Sequence, residues 1–380
     1  MPLHADTFDA EEILGDIMAW GGVESPTTDT PGVNLMMDLA LEALGGLGAR
    51  VERLDGIGGY GDVVKGRFAG PDGAEGPGVL ILCHLDTVHP VGTLDGPLPL
   101  RREGDRLYGP GVYDMKGGGQ LALHAIKALQ NAGRTPRLPL TVMFTPDEEV
   151  GSPSSRERIE DEARRHKFVL VPEPLKMGRK VVTGRHAIQR FEISSHGRPA
   201  HAGLTKKSGR SAIRVMARLI ERIEAMTDYK RGLTYSVGVI RGGTFVNVVP
   251  TVCTAEALCV APSDEDLEEI KANMIALAGE EDEVEVRVTV GVTRPVFRPH
   301  AGTMALYETA QVIAAEIDID LRHGQFGGGS DGNFTGALEI PTLDGLGVDG
   351  DGGHTFEEHL LISSLVPRCR LLAGLIETLA

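Results

Sequence analysis

Gly78-Val-Leu-Ile-Leu-Cys83 is an unbroken apolar run that ends in His84-Leu-Asp86, and the same design recurs twice along the chain. Leu138 to Thr145 leads into Asp147-Glu148-Glu149, and Lys167 to Val171 leads into Pro172-Glu173. Between the first two runs, Gly118 to Ala132 carries apolar residues at helical spacing. Strand, helix, strand in that order predicts a mainly parallel sheet with right-handed crossovers. Open α/β sheets place ligands at the carboxyl ends of their strands, where His84 and the acidic residues fall.

Outward from these runs, Ala10 to Trp20 and Val33 to Leu47 read as amphipathic helices, the second ended by glycine. The pattern changes near Gly184. Ala187 to Ser194 reads as a strand, Ser211 to Met226 as a helix, and Leu233 to Ile240 and Thr251 to Val260 as two strands. Ser263 caps a helix through Ala278 with Asp264, Glu265 and Asp266 in its first turn, and Val284 to Thr293 alternates as a strand. That order, βαββαβ, is ferredoxin-like. Helices over Met304 to Ala315 and Ser364 to Leu379 then resume the first style. The expected fold class is α/β: a catalytic domain over 1–183 and 295–380, interrupted by a ferredoxin-like domain over 184–294.

At 380 residues, two domains are the default. Apolar content of 41% and charged content of 24% fit a folded soluble protein. A net charge of −16 argues against nucleic acid or an anionic membrane as partner. No apolar run is long enough to span a bilayer, and the N-terminus lacks the pattern of a signal peptide. Four cysteines, Cys83, Cys253, Cys259 and Cys369, have neither paired metal spacing nor the density of a secreted scaffold, so reduced thiols in the cytoplasm are expected.

Histidine with several carboxylates is the chemistry of a hydrolytic zinc or manganese site. His84 can bind a metal while Asp86, two residues on, accepts its other ring N–H; a surface turn explains the pair equally well. Asp114 sits in Gly109-Pro-Gly-Val-Tyr-Asp114-Met-Lys-Gly-Gly118, where glycines allow close approach and a carboxylate can bridge two cations. A phosphate loop is the competing reading, but the Walker pattern is absent. Adjacent Glu148 and Glu149 repel unless a positive charge lies nearby, which suits a ligand, Glu149, beside a general base, Glu148; acid pairs also open helices. Glu173 is held extended by the following proline, and a lone His354 between Gly353 and Thr355 is more often structural. Taken together, Asp114, Glu149 and Glu173 set three negative charges against the four of two divalent cations, and Glu148 brings the balance to neutrality.

The ordered series His84-Leu-Asp86-Thr-Val88, Gly111-Val-Tyr-Asp114-Met-Lys-Gly-Gly118, Asp147-Glu148-Glu149-Val-Gly151, Pro172-Glu173-Pro174 and Gly353-His354 resembles the M20 metallopeptidases over nearly the whole chain. The resemblance implies that His84 and Glu173 hold one metal, Glu149 and His354 the other, and that Asp114 bridges them. It gives Glu148 the role of base and Asp86 the support of His84. Zinc is the implied metal, with cobalt or manganese as alternatives, and the inserted domain becomes a lid and dimerisation domain of a homodimer. Gly197-Arg-Pro-Ala-His201-Ala-Gly203 is similar to the segment whose histidine stabilises the oxyanion. The resemblance also assigns substrate contacts to Asn247, to the loop Gly327-Gly328-Gly329-Ser330, and to Arg294 as carboxylate clamp, with Arg298 as its competitor. Relatives commonly carry Asp-x-Arg where Glu256-Ala-Leu258 stands here. The implied activity is carboxypeptidase G2-like hydrolysis of an amide beside a free carboxylate, in an N-acyl amino acid or short peptide, releasing glutamate or aspartate. An N-acyl amino acid deacylase of the acetylornithine deacetylase or desuccinylase type is the alternative.

Overall fold

Val79–His84 lies between Leu140–Thr145 and Phe168–Val171, parallel to both, with His84 opposite Thr145. Alternate residues of these strands enter different cores. Val79, Ile81, Cys83, Leu140, Val142, Phe144 and Leu170 join one apolar cluster, whereas Leu80, Leu82, Met143, Val169 and Val171 join another. Burial on both faces is why the runs show no polar alternation.

The computed structural model describes residues 2–175 and 180–380. The chain divides into two units, one of Met1–Gly184, Phe297–Phe326 and Ser330–Ala380, the other of Arg185–Val296 and Gly327–Gly329. Among the described residues, the first unit holds an eight-stranded sheet in the order Arg50–Leu54, Val63–Phe68, Leu140–Thr145, Val79–His84, Phe168–Val171, Thr342–Asp344, Lys180–Arg185 and Arg322–Phe326. The three central strands and Thr342–Asp344 are parallel; Arg50–Leu54 and Val63–Phe68 run antiparallel at one side. One face is covered by the helices Ala10–Gly21, Lys116–Asn131 and Leu365–Thr378, with Trp20 edge-on to Phe144 at 5.7 Å between centroids. The other carries Ile159, Ala163 and Phe334 from Arg156–Ala163 and Gly332–Ala337.

A smaller sheet orders Gly350–Asp351, His359–Leu361, Arg106–Tyr108 and Arg101–Glu103. His359 pairs with Tyr108, so the hairpin turn that contains His354 is anchored beside the strand that leads into Asp114.

In the second unit, Ala187–His196, Ala212–Glu224, Thr234–Gly242, Val252–Ala261, Asp264–Ile275 and Val284–Arg294 follow one another as βαββαβ. Their sheet runs Thr234–Gly242, Val252–Ala261, Ala187–His196, Val284–Arg294, with the short strand Gly279–Glu281 added at one edge. Ser263 caps its helix by accepting the N–H of Asp266. Gly327–Gly329, expected with the catalytic segment, groups with this second unit instead. The reason is local: Arg185, fully buried, donates Nη1 to the carbonyls of Gly328 (2.8 Å) and Gly329 (3.0 Å). Among the described residues, no helix is long and apolar enough to cross a membrane.

Candidate metal centre

The carboxyl ends of the three parallel strands and the two loops of the small sheet bring one histidine–carboxylate cluster together. His84 closes its strand and is buried. Its Nδ1 donates to the backbone carbonyl of Asp86 at 3.0 Å and lies 3.4 Å from Oδ1 of the same residue. A carbonyl can only accept, so Nε2 is the ring atom left to face the cluster. Nε2 stands 3.2 Å from Oδ1 of Asp114 and 3.6 Å from Oε1 of Glu173. On the other side, Nε2 of His354 stands 3.4 Å from Oδ2 of Asp114 and 3.1 Å from Oε2 of Glu149. The two oxygens of Asp114 therefore face two different histidines, each with its own glutamate.

Asp86 does more than support His84. Fully buried, its Oδ1 accepts the N–H of Glu148 at 3.1 Å and its Oδ2 the N–H of Glu149 at 3.2 Å, while Thr27 donates its hydroxyl to Oδ2 at 2.6 Å. One residue thus fixes both the histidine, chiefly through its backbone carbonyl, and the turn that presents the paired acids, through its carboxylate. Asp147 is turned away; its carboxylate accepts from the N–H of Ser154 and the hydroxyl of Ser155 and steadies that turn. Gly118, in the first turn of Lys116–Asn131, lets the helix sit against the loop before Glu173, because a Cβ there would lie 1.8 Å from the carbonyl oxygen of Pro172.

Acids this close and this buried disturb each other's protonation. Burial, with the charges of Asp114 and Glu148, pushes the Glu149 carboxyl up to about 8 against the hydrogen bond from His354. Hydrogen bonds to Asp114 and Glu149 raise His354 to about 11. For His84, burial alone would favour the neutral ring, but Asp114, Asp86 and the charge of Glu148 outweigh it and push the pKa well up. The cluster is short of positive charge, and its donors are imidazole nitrogen and carboxylate oxygen, the set that suits zinc, cobalt or manganese. Ligand atoms of His84, Asp114 and Glu149 all lie within 4.8 Å of one another, so the residues fit a divalent cation. His354, 56% exposed, marks the open side.

Of the other expected site residues, His201, Asn247, Arg294, Gly328 and Gly329 belong to the second unit and Ser330 to the first. In the second unit, His201 and Asn247 are neighbours: His201 bridges Val248, and Ala202 N–H donates to the Asn247 carbonyl at 2.9 Å. His201 Nδ1 accepts the N–H groups of Gly203 and Leu204, both at 3.2 Å, which leaves the ring proton on Nε2. Arg294 is buried and packed onto Gly329, where a Cβ would meet its Cδ at 2.7 Å; Arg298, in the first unit, is exposed. Ser330 is buried in the first unit, donating its N–H to Asn333 and its hydroxyl to Asp344 at 2.6 Å. Sequence reasoning missed Thr27 and Glu358. A threonine 59 residues before Asp86 gives no local signal, and Glu357-Glu358 reads as exposed loop charge.

Residues 80–378 match the model of peptidase family M20/M25/M40. The chain is 30% identical to carboxypeptidase G2 of Pseudomonas sp. (strain RS-16), across 93% of this chain and 85% of that protein. It is 30% identical to acetylornithine deacetylase of Myxococcus xanthus, across 56% of this chain and 57% of that one. Its fold matches an M20 family metallo-carboxypeptidase of Sulfolobus solfataricus with a TM-score of 0.74 at 15% identity, covering 97% of this chain and 99% of the other. Family model, relatives and the histidine–carboxylate cluster agree: the chain belongs to the M20/M25/M40 peptidase family and is a metal-dependent hydrolase.

Proposed function

We propose that the protein is a two-cation amidohydrolase that cleaves an amide bond next to a free carboxylate and releases an amino acid such as glutamate or aspartate. The observation that carries this reading is the opposed pair of Asp114 oxygens, one toward His84 and Glu173, the other toward His354 and Glu149. His84, Asp114 and Glu173 would hold one cation, and Glu149, Asp114 and His354 the second. Two such cations, zinc or else cobalt or manganese, supply Lewis acidity toward the amide carbonyl and toward water. Glu148, buried at the edge of the cluster, takes the proton of the attacking water and later delivers it to the leaving nitrogen. His201, whose proton is held on Nε2 by the two amides at Nδ1, donates to the carbonyl oxygen as that atom gains charge.

Arg294 is our candidate for the substrate carboxylate, with the backbone of Gly328 and Gly329 and the side chain of Asn247 completing the substrate contacts; Ser330 anchors the end of that loop. Likeness to carboxypeptidase G2 supports the carboxylate-adjacent bond. Likeness to acetylornithine deacetylase supports the alternative, an N-acyl amino acid deacylase. We also place the enzyme in the cytoplasm as a homodimer, on the strength of four buried, free cysteines and an edge strand, Thr234–Gly242, open to pairing. The test is amino-acid release from N-acyl glutamates, N-acyl aspartates, N-acetylornithine and their α-amidated counterparts, with zinc, cobalt or manganese added. Release that vanishes on amidation supports the reading; equal release from amidated substrates contradicts it.

A further inference from the structure

Glu358 follows His354 by four residues and is 1% exposed, although it stands in a loop beside another glutamate. Its Oε1 accepts the backbone N–H groups of Tyr113 and Asp114, both at 3.1 Å. Its Oε2 accepts Nε2–H of His89, also buried, at 2.6 Å. Its own carbonyl accepts the N–H of Gly109 at 3.3 Å. One side chain thereby joins three loops: the one that follows His84, the one that carries Asp114 and the one that carries His354. Burying a carboxylate is costly unless it is well bonded, and three donors at two oxygens meet that requirement.

Neighbouring contacts extend the brace. Tyr113 lays its ring on the His354 hairpin, where a Cβ on Gly350 would come within 2.7 Å of it, and its hydroxyl donates to the Leu175 carbonyl at 2.9 Å, two residues past Glu173. Lys116, fully buried, donates Nζ to the carbonyls of Val23 (2.7 Å) and Trp20 (3.3 Å) and fixes the far end of the Asp114 loop. The backbone that carries Asp114 is thus held on both sides, and Glu358 holds the Asp114 amide itself.

We propose that Glu358, backed by His89, is a positioning residue: it grips the Tyr113–Asp114 amides so that the two Asp114 oxygens stay divided between His84 and His354. The inference rests on the two-cation reading of Asp114. It separates this carboxylate from the ligands, because both Glu358 oxygens are engaged with N–H donors. Without the grip, Asp114 can still bind one cation but no longer holds the geometry that serves a second.

The test compares cobalt binding to metal-stripped wild type, Glu358→Ala, Glu358→Gln and His89→Leu, by elemental analysis and chelator competition, with melting curves and steady-state kinetics on the best substrate. Wild type should take up two equivalents. Glu358→Ala should bind the weaker cation at least tenfold less tightly and lose kcat at least tenfold while KM stays within threefold. Glu358→Gln should recover most of both, because its amide oxygen accepts the same two N–H groups. Should Glu358→Ala fail to fold, His89→Leu carries the test, with weaker-site affinity expected to fall at least threefold. Wild-type cobalt affinity in a folded Glu358→Ala, or in His89→Leu, overturns the proposal, as does Glu358→Gln no better than Glu358→Ala. Wild type that takes up fewer than two equivalents overturns the two-cation reading itself, and the positioning role with it.

Discussion

Asp86 and Glu148 divide the work at the level of single residues. Asp86 spends its oxygens on the amides of Glu148 and Glu149 and on Thr27, so its removal should disturb the proposed ligand and the proposed base together. In the proposed reaction Glu148 has the simpler task of moving one proton. Glu148→Gln should therefore keep its metal content and melting temperature yet lose kcat by roughly a hundred- to ten-thousand-fold; elemental analysis beside kinetics checks this, and unchanged kcat removes Glu148 as base. A second expectation concerns pH. The folded pKa of His354 is raised to about 11 and that of Glu149 to about 8, each above its ordinary value. The stability each contributes is complete below the ordinary pKa and is lost as pH rises through the folded one, so the metal-stripped protein should melt lower as pH climbs from about 6.5 toward 10. Metal binding requires the same imidazole nitrogen and carboxylate without protons, so cation affinity should rise over that range. Melting curves with and without chelator separate the two slopes, and a metal-stripped melting temperature that rises with pH contradicts the assignment.

The strand ends are what the elements contribute. Leu82 lies in the core on one face of the sheet while its neighbours Ile81 and Cys83 fill the other. Leu82→Ala should cost ~2–5 kcal/mol in a denaturant titration. Gly118→Ala, a helix-favouring change elsewhere, should destabilise by ~1–3 kcal/mol, because the new methyl meets the Pro172 carbonyl and must displace the backbone before Glu173. These central elements were legible because burial on both faces leaves a continuous apolar run, and because the insert alternates cleanly. The outer strands Arg50–Leu54, Lys180–Arg185 and Arg322–Phe326 were not: they are rich in charge and polar residues, and pairing rather than pattern makes them strands. The four-stranded sheet beside Asp114 and His354 was equally silent, since none of its strands exceeds three residues. Glu358 was hidden for the same reason; its burial follows from that sheet.

Across the whole molecule, the six residues read as ligands and base, His84, Asp114, Glu148, Glu149, Glu173 and His354, all belong to the first unit, whereas His201, Asn247 and Arg294 belong to the second. Metal binding and substrate recognition should therefore separate in kinetics. Arg294→Ala should raise KM with metal content unchanged, whereas Arg298→Ala should leave KM alone; the reverse pattern transfers the clamp to Arg298. A titration of metal-stripped protein with zinc or cobalt, while amino-acid release from an N-acyl glutamate is followed, decides whether two cations act. Activity should climb until two equivalents per chain are bound, and Asp114→Ala should never reach that level. Full activity in the metal-stripped protein, or full activity at one equivalent, would contradict the two-cation reading.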